Sequence, residues 1–251
     1  MKRAVISILA LSIGATVVAA KRSPVEPGRV STAVAPATTE TATGAIARAF
    51  TAVDPRLTTT DEERSEARRR LRRGAAGTYI GDILRERDSS LSRWPDRRGK
   101  PLTVWIQPFS MVPDFTLDYV TSVHAAFDEW GAVNLPLRFR FVDDSMHADV
   151  HVSFIDHFDE PISGRTRWSR DDSWAITDAS ILLAVHHSHG EQLDVDAMRA
   201  MALHEIGHLL GLDHTTDSLS IMAPRVRVRA LADADRATAR LLYTLPTGPL
   251  R

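Results

Sequence analysis

The sequence predicts an α/β (α+β) fold, a mixed twisted sheet with helices packed on it, on three observations. Beyond Pro101, segments of strand period and helix period follow one another in the order strand, helix, strands, helix, helix. The 251 residues are 43% hydrophobic, enough apolar material for one ordinary core. Residues 21–55 carry neither period, so the packed part of the chain lies after them.

Taken in order, the chain opens on "MKRAVISILALSIGATVVAA", with Lys2 and Arg3 ahead of an uncharged apolar run that ends in small residues. Residues 1–20 are therefore expected to be a secretory signal cleaved after Ala20, with an uncleaved anchor as the alternative. Residues 21–58, rich in Ala, Thr, Pro and Val, have the composition of a disordered tether. Residues 59–92 form a helical N-terminal extension in which Thr60 and Glu63 stand at capping-box spacing. Acids come first in that helix, arginines last, and Gly74 stops it, as expected of a solvent-facing helix matched to its own dipole.

Within residues 93–246, "LTVWI" (Leu102 to Ile106) reads as a strand. "FTLDYVTSVHAAFDEW" places Leu117, Val120, Val123, Phe127 and Trp130 at helical spacing. Alternation predicts strands over Leu137–Val142 and Ala148–Ile155, with a further strand over Ala175–Val185. A helix is expected from Asp194 or Asp196 to near Gly211, and a last one from about Leu231 to Tyr243.

Charge and composition narrow the chemistry. The formal net charge of -1 gives no electrostatic reason for a nucleic-acid partner. With no cysteine, disulfides, thiolate metal sites and thiol nucleophiles are excluded, so a metal would have to be held by His, Asp or Glu.

"ALHEIGHLLGLDH" (Ala202 to His214) supplies such a set. His204 and His208 are four apart, so both project from one helix face toward one ion. Gly211 allows the sharp exit that brings His214 to the same point. Three imidazoles with a fourth position open to water describe a catalytic zinc site. Glu205, beside the first ligand, is placed to act as general base and acid on a water that zinc acidifies. The bland alternative, three separate core histidines, would bury several polar rings on one apolar helix, each needing its own partner.

The motif "HEIGHLLGLDH" resembles the metzincin metalloproteases, and within them the matrixins, at every fixed position of H-E-x-x-H-x-x-G-x-x-H. "SIMAP" (Ser220 to Pro224) is similar to the Met-turn beneath their zinc, which implies that Met222 supports the ligands without coordinating. "RWPDRRGKPLTVWI", "SVHAAFDEWGAVNLPLRFRFV", "ADVHVSF" and "ADADRATARLLY" resemble the family's flanking elements in the right order, from Arg93 to Tyr243. The resemblance implies a metzincin-like zincin fold with an active-site helix and a C-terminal helix. It further implies one catalytic zinc ion and a peptide or protein substrate.

Three departures from the family pattern are visible. No cysteine is present to hold the zinc in a latent state. His157 and Asp159 are similar to half of a structural zinc site, but "GRTRW" and "ITDASIL" lack the histidines that would complete it. Calcium cannot be assigned to Asp143, Asp144, Asp171 or Asp172, since loop acids are commonly just solvated. "VHHSHG" (His186, His187, His189) is a second histidine cluster, read as a hydrated loop in preference to a metal site. "GRTRWS" (Gly164 to Ser169) is the expected sheet edge for an extended peptide, and "APRVRVRAL" the expected wall of the adjacent pocket.

The sequence thus describes a monomeric zinc endopeptidase, secreted or held in the periplasm or cell envelope, with no stable membrane insertion once the signal is removed. The alternative is a catalytically silent protein of the same fold that binds peptides or metal in the envelope; retention of Glu205 argues against it.

Overall fold

The computed structural model describes residues 60–250, so the expected signal segment and tether lie outside the described residues. Helix α1 (Asp61–Gly74) starts as its capping chemistry requires: Glu63 N–H donates to Thr60 Oγ1 at 3.2 Å, and Thr60 N–H to the Glu63 carboxylate at 2.8 Å. Its arginines are drawn inward along the helix, Arg69 and Arg70 both pairing with Glu66. The helix is not solvent-facing all round, however. Ala67 is buried, Gly74 lies against Leu241, and Arg70 donates to the Thr244 carbonyl at 2.6 Å.

A short second helix, α2 (Ile80–Glu86), follows, with Ile80 and Ile83 buried. After it come β1 (Ser90–Leu91) and β2 (Leu102–Ile106), then α3 (Leu117–Gly131). Helix α3 buries only part of its helically spaced apolar set. Val123, Phe127 and Trp130 are buried, but Leu117 is 66% exposed and Val120 only half-buried, and Tyr119, Ser122 and Ala126 complete the inner face. On that inner face the Tyr119 hydroxyl donates to the Leu193 carbonyl at 2.6 Å.

The strands β3 (Phe139–Phe141), β4 (Val150–Ile155), β5 (Gly164–Arg170) and β6 (Ile176–Ala184) join β2 in a five-stranded sheet of order β3-β2-β4-β6-β5. The first four in that order are parallel, and β5 runs antiparallel to β6 at the edge, so the sheet is mixed as expected. β3 is shorter than the alternation in Leu137–Val142 suggests: pairing with β2 covers three residues only.

Helix α4 (Val195–Leu209) is capped by Asp194, which accepts from Ala197 N–H at 2.6 Å. It is buried from Ala200 to Leu209, between α3 and the sheet. Two fully buried tryptophans fix its position: the indole N–H of Trp130 donates to the Leu203 carbonyl and that of Trp94 to the Leu209 carbonyl, both at 2.9 Å. Helix α5 (Asp233–Leu242) and β7 (Gly248–Pro249) end the described chain, β7 pairing with β1. Residues of α1, α2 and β1 share one hydrophobic core with α3, α4 and the sheet.

Candidate metal centre and active site

The site is built where α4 ends. His204 and His208 sit one turn apart on its buried side, and the chain leaves the helix through Gly211 at φ +95°. A side chain at Gly211 would place Cβ 2.2 Å from the Ser92 carbonyl oxygen, so both the backbone angle and the close approach of β1's following residue require glycine. The turn returns His214 to the two helical imidazoles. His208 Nε2 lies 3.2 Å from His204 Nε2 and 3.3 Å from His214 Nε2.

The protonation of these rings follows from their other nitrogens. His204 Nδ1 lies 2.7 Å from the Ile221 carbonyl and His208 Nδ1 3.1 Å from the Leu212 carbonyl. A carbonyl can only accept, so each Nδ1 carries the proton and each Nε2 presents a lone pair. Two neutral Nε2 atoms at 3.2 Å therefore cannot hydrogen-bond to one another. Burial first, and the neighbouring imidazoles second, hold the rings neutral: His204 is pushed down to about 3, and His208 is well below the usual range. His214 is lowered as well, by its burial. Convergent nitrogens on neutral imidazoles are the donor set that suits a metal ion. Among the described residues, this is the group of metal-ligating side chains whose donors converge.

Glu205 is fully buried beside the first histidine. Its Oε2 accepts from the Thr166 hydroxyl at 2.6 Å, while Oε1 is buried with no hydrogen-bond partner among the described residues. Desolvation pushes its carboxyl up to about 7, and the Thr166 hydrogen bond offsets only part of that. Gly164 on β5 gives the carboxylate its space: a Cβ there would lie 2.5 Å from Glu205 Oε1.

Met222 is fully buried beneath α4 and close to Gly207, where a Cβ would come within 2.3 Å of its sulfur. Its loop is tied down by Asp235 of α5, which accepts from Ile221 N–H at 3.1 Å and from the Ser220 hydroxyl. Ser220 Oγ in turn accepts from Met222 N–H at 2.9 Å. This fixes the Ile221 carbonyl that orients His204.

The remaining candidate residues lie outside this group of three histidines. His157 pairs with Asp156 at 2.9 Å and does not join a convergent metal group with Asp159. In the "HHSH" cluster, His186 binds Asp156 at 2.6 Å and Asp114 at 3.1 Å through its two ring nitrogens, and His187 binds Ser163, so the rings do not converge. Asp144 and Asp171 cap local turns, through Met146 N–H and Ser173 N–H. "GRTRWS" does form the edge strand. In antiparallel pairing the bond from Ala184 N–H to the Ser163 carbonyl sets the alternation, which aims the backbone groups of Gly164, Thr166 and Trp168 at the open edge.

Sequence reasoning missed Thr166, Asp235 and the Ile221 and Leu212 carbonyls. Their partners are 39, 14, 17 and 4 residues away, and only the last is local enough to carry a sequence signal.

Helix-borne histidines, a glycine exit and a methionine turn beside a mixed sheet make this a candidate metal centre of the metzincin type. The family model described as Matrixin matches residues 98–244, and the chain belongs to that family. It is 31% identical over 136 residues to Metalloendoproteinase 1-MMP of Arabidopsis thaliana, covering 45% of this chain and 35% of the relative. Matrix metalloproteinase-C of Caenorhabditis elegans is 29% identical over 154 residues, 54% of this chain and 24% of the relative. Matrix metalloproteinase-19 of Mus musculus is 29% identical over 153 residues, 53% and 25% respectively. The chain spans about a quarter to a third of the length of these relatives. Family membership implies zinc-dependent catalysis, and the histidine triad can bind a metal.

Proposed function

We propose that the chain is a secreted zinc endopeptidase in which His204, His208 and His214 hold the ion and Glu205 is the acid and base. In this reading residues 93–246 are the catalytic unit, 1–20 the signal, 21–58 a tether and 59–92 a helical extension. The observation that carries it is the convergence of three imidazole Nε2 atoms, on His204, His208 and His214, one residue from a buried carboxyl whose pKa is raised to about 7. When bound, the zinc ion would supply Lewis acidity toward a water and the scissile carbonyl.

An extended peptide would add to the open edge of β5, its main chain pairing with the backbone of Gly164, Thr166 and Trp168. Glu205 would then accept a proton from the attacking water and return it to the leaving amine, a double role that a carboxyl titrating near neutrality supports. Thr166 holds Oε2, while Oε1 is buried with no hydrogen-bond partner among the described residues. Met222 supports the ligands from below without coordinating. The partner is a peptide or protein, taken up by a monomer. The near-zero net charge supports no nucleic-acid partner, and no helix of the described residues is long and apolar enough to cross a membrane.

The test is hydrolysis of a diverse peptide library by purified, zinc-loaded protein. Cleavage that a chelator abolishes and zinc restores supports the reading; no cleavage of any peptide by protein that retains its zinc would replace it with the peptide-binding alternative.

A further inference from the structure

Arg87 follows α2 and lies outside the residues 98–244 that match the family, yet its guanidinium reaches the loop that delivers the third histidine. Its Nε donates to Asp213 Oδ2 at 2.7 Å, and its Nη2 points at the Leu212 carbonyl at 3.5 Å. Both side chains of the ion pair are largely buried, 14% and 13% exposed. The acceptors on either side of this contact belong to the metal centre. Asp213 Oδ1 accepts from His214 N–H at 3.0 Å, and the Leu212 carbonyl is the group that orients His208 Nδ1. The Cζ of the same guanidinium lies over the ring of Trp168 on the edge strand, 5.3 Å from its centroid. Nearby, Asp82 of α2 accepts from the Thr215 hydroxyl at 2.9 Å, holding the residue after His214.

We propose that Arg87 is a positioning residue for the metal centre, clamping residues 212–214 against β5 so that His208 and His214 are held at ligand spacing. The segment that bears it is then a working part of the site and not a removable leader. This rests on the reading of His204, His208 and His214 as zinc ligands. An arginine suits the task because its planar fork can bind a carboxylate, approach a carbonyl and lie over an indole at once, which an ammonium cannot. Outer partners of metal ligands are typically worth roughly 10-fold to 100-fold in metal affinity.

The experiment uses the full chain and measures the zinc dissociation constant by chelator competition, together with the visible spectrum of the cobalt(II)-loaded protein, which reports ligand geometry. Arg87→Met is expected to weaken zinc binding by roughly 10-fold to 100-fold and to shift the cobalt bands with far-UV circular dichroism retained. Arg87→Lys should recover part of the loss. Asp213→Asn should cost about as much as Arg87→Met, and the double variant no more than either alone, because the two act through one contact. Should Arg87→Met fail to fold, the Lys and Asp213→Asn variants carry the same comparison. Wild-type affinity and cobalt spectrum in Arg87→Met, or additive losses in the double variant, would overturn the clamp. A wild type whose zinc uptake is unaffected by His208→Ala would overturn the ligand assignment and the clamp with it, whereas a zinc-binding wild type with an indifferent Arg87 overturns the clamp alone.

Discussion

Thr166→Val removes one hydroxyl and nothing else of consequence, and its effect can be worked from the site. The threonine is buried, its Oγ1 is 2.6 Å from Glu205 Oε2 and 2.9 Å from the Glu205 carbonyl, and valine matches its shape. Glu205 Oε1 already has no partner among the described residues, so the variant leaves the whole carboxylate without a side-chain donor. A hydrogen bond to a charged group contributes about 1.5–3 kcal/mol, which at about 1.4 kcal/mol per decade corresponds to a fall in kcat of roughly 10-fold to 100-fold. KM should change little, because the Thr166 side chain faces α4 while its backbone faces the edge where the peptide would lie. Thr166→Ser, which keeps the donor, should restore most of the rate. Steady-state hydrolysis of one peptide by the three proteins decides it. A valine variant within about threefold of wild type in kcat, or a loss confined to KM, would refute this role for Thr166.

Gly211→Ala should destabilise by about 2–5 kcal/mol. A positive φ costs a side-chain-bearing residue about 1–2 kcal/mol, and relieving the contact with the Ser92 carbonyl adds about 1–3; urea unfolding within about 0.5 kcal/mol of wild type would contradict this. His186 carries a pH signature. Its burial disfavours charge, but Asp114 and Asp156 outweigh that and raise its pKa above the usual value. A raised folded-state pKa stabilises fully below the unfolded value of about 6.5 and loses that contribution as pH rises through the folded value. The stability advantage of wild type over His186→Gln should therefore shrink with rising pH, and an advantage that is flat or grows with pH would show that the two carboxylates do not govern this ring.

What the sequence made legible was whatever depends on local spacing. The i, i+4 pair His204 and His208, the glycine exit, the capping box at Thr60 and the strand Leu102–Ile106 all follow from periodicity or turn chemistry and are present in the structure. Helix α2 is covered only by the general reading of residues 59–92 as helical, because seven residues, "IGDILRE", are too few for a period to mark its ends, and its stability comes from burying Ile80 and Ile83 against the rest of the core. The exposure of Leu117 is not legible for a related reason. Apolar spacing marks a helix, but which face turns inward depends on tertiary packing, where Tyr119 meets the Leu193 carbonyl. Thr166, Asp235 and Arg87 carry no sequence signal at all, since each acquires its meaning only when tertiary packing sets it beside Glu205, the Met222 loop or Asp213.

The measurement that bears most directly on the account compares wild type with Glu205→Gln for zinc content and for peptide hydrolysis in the same preparations. The variant keeps the carboxylate's size and all three imidazoles but cannot carry a proton between water and amine. Both proteins are expected to hold one zinc ion per chain, while hydrolysis by the variant falls by at least roughly 10²-fold to 10⁴-fold. Hydrolysis at the wild-type rate by a zinc-loaded Glu205→Gln protein would contradict the assignment of Glu205 as the acid and base.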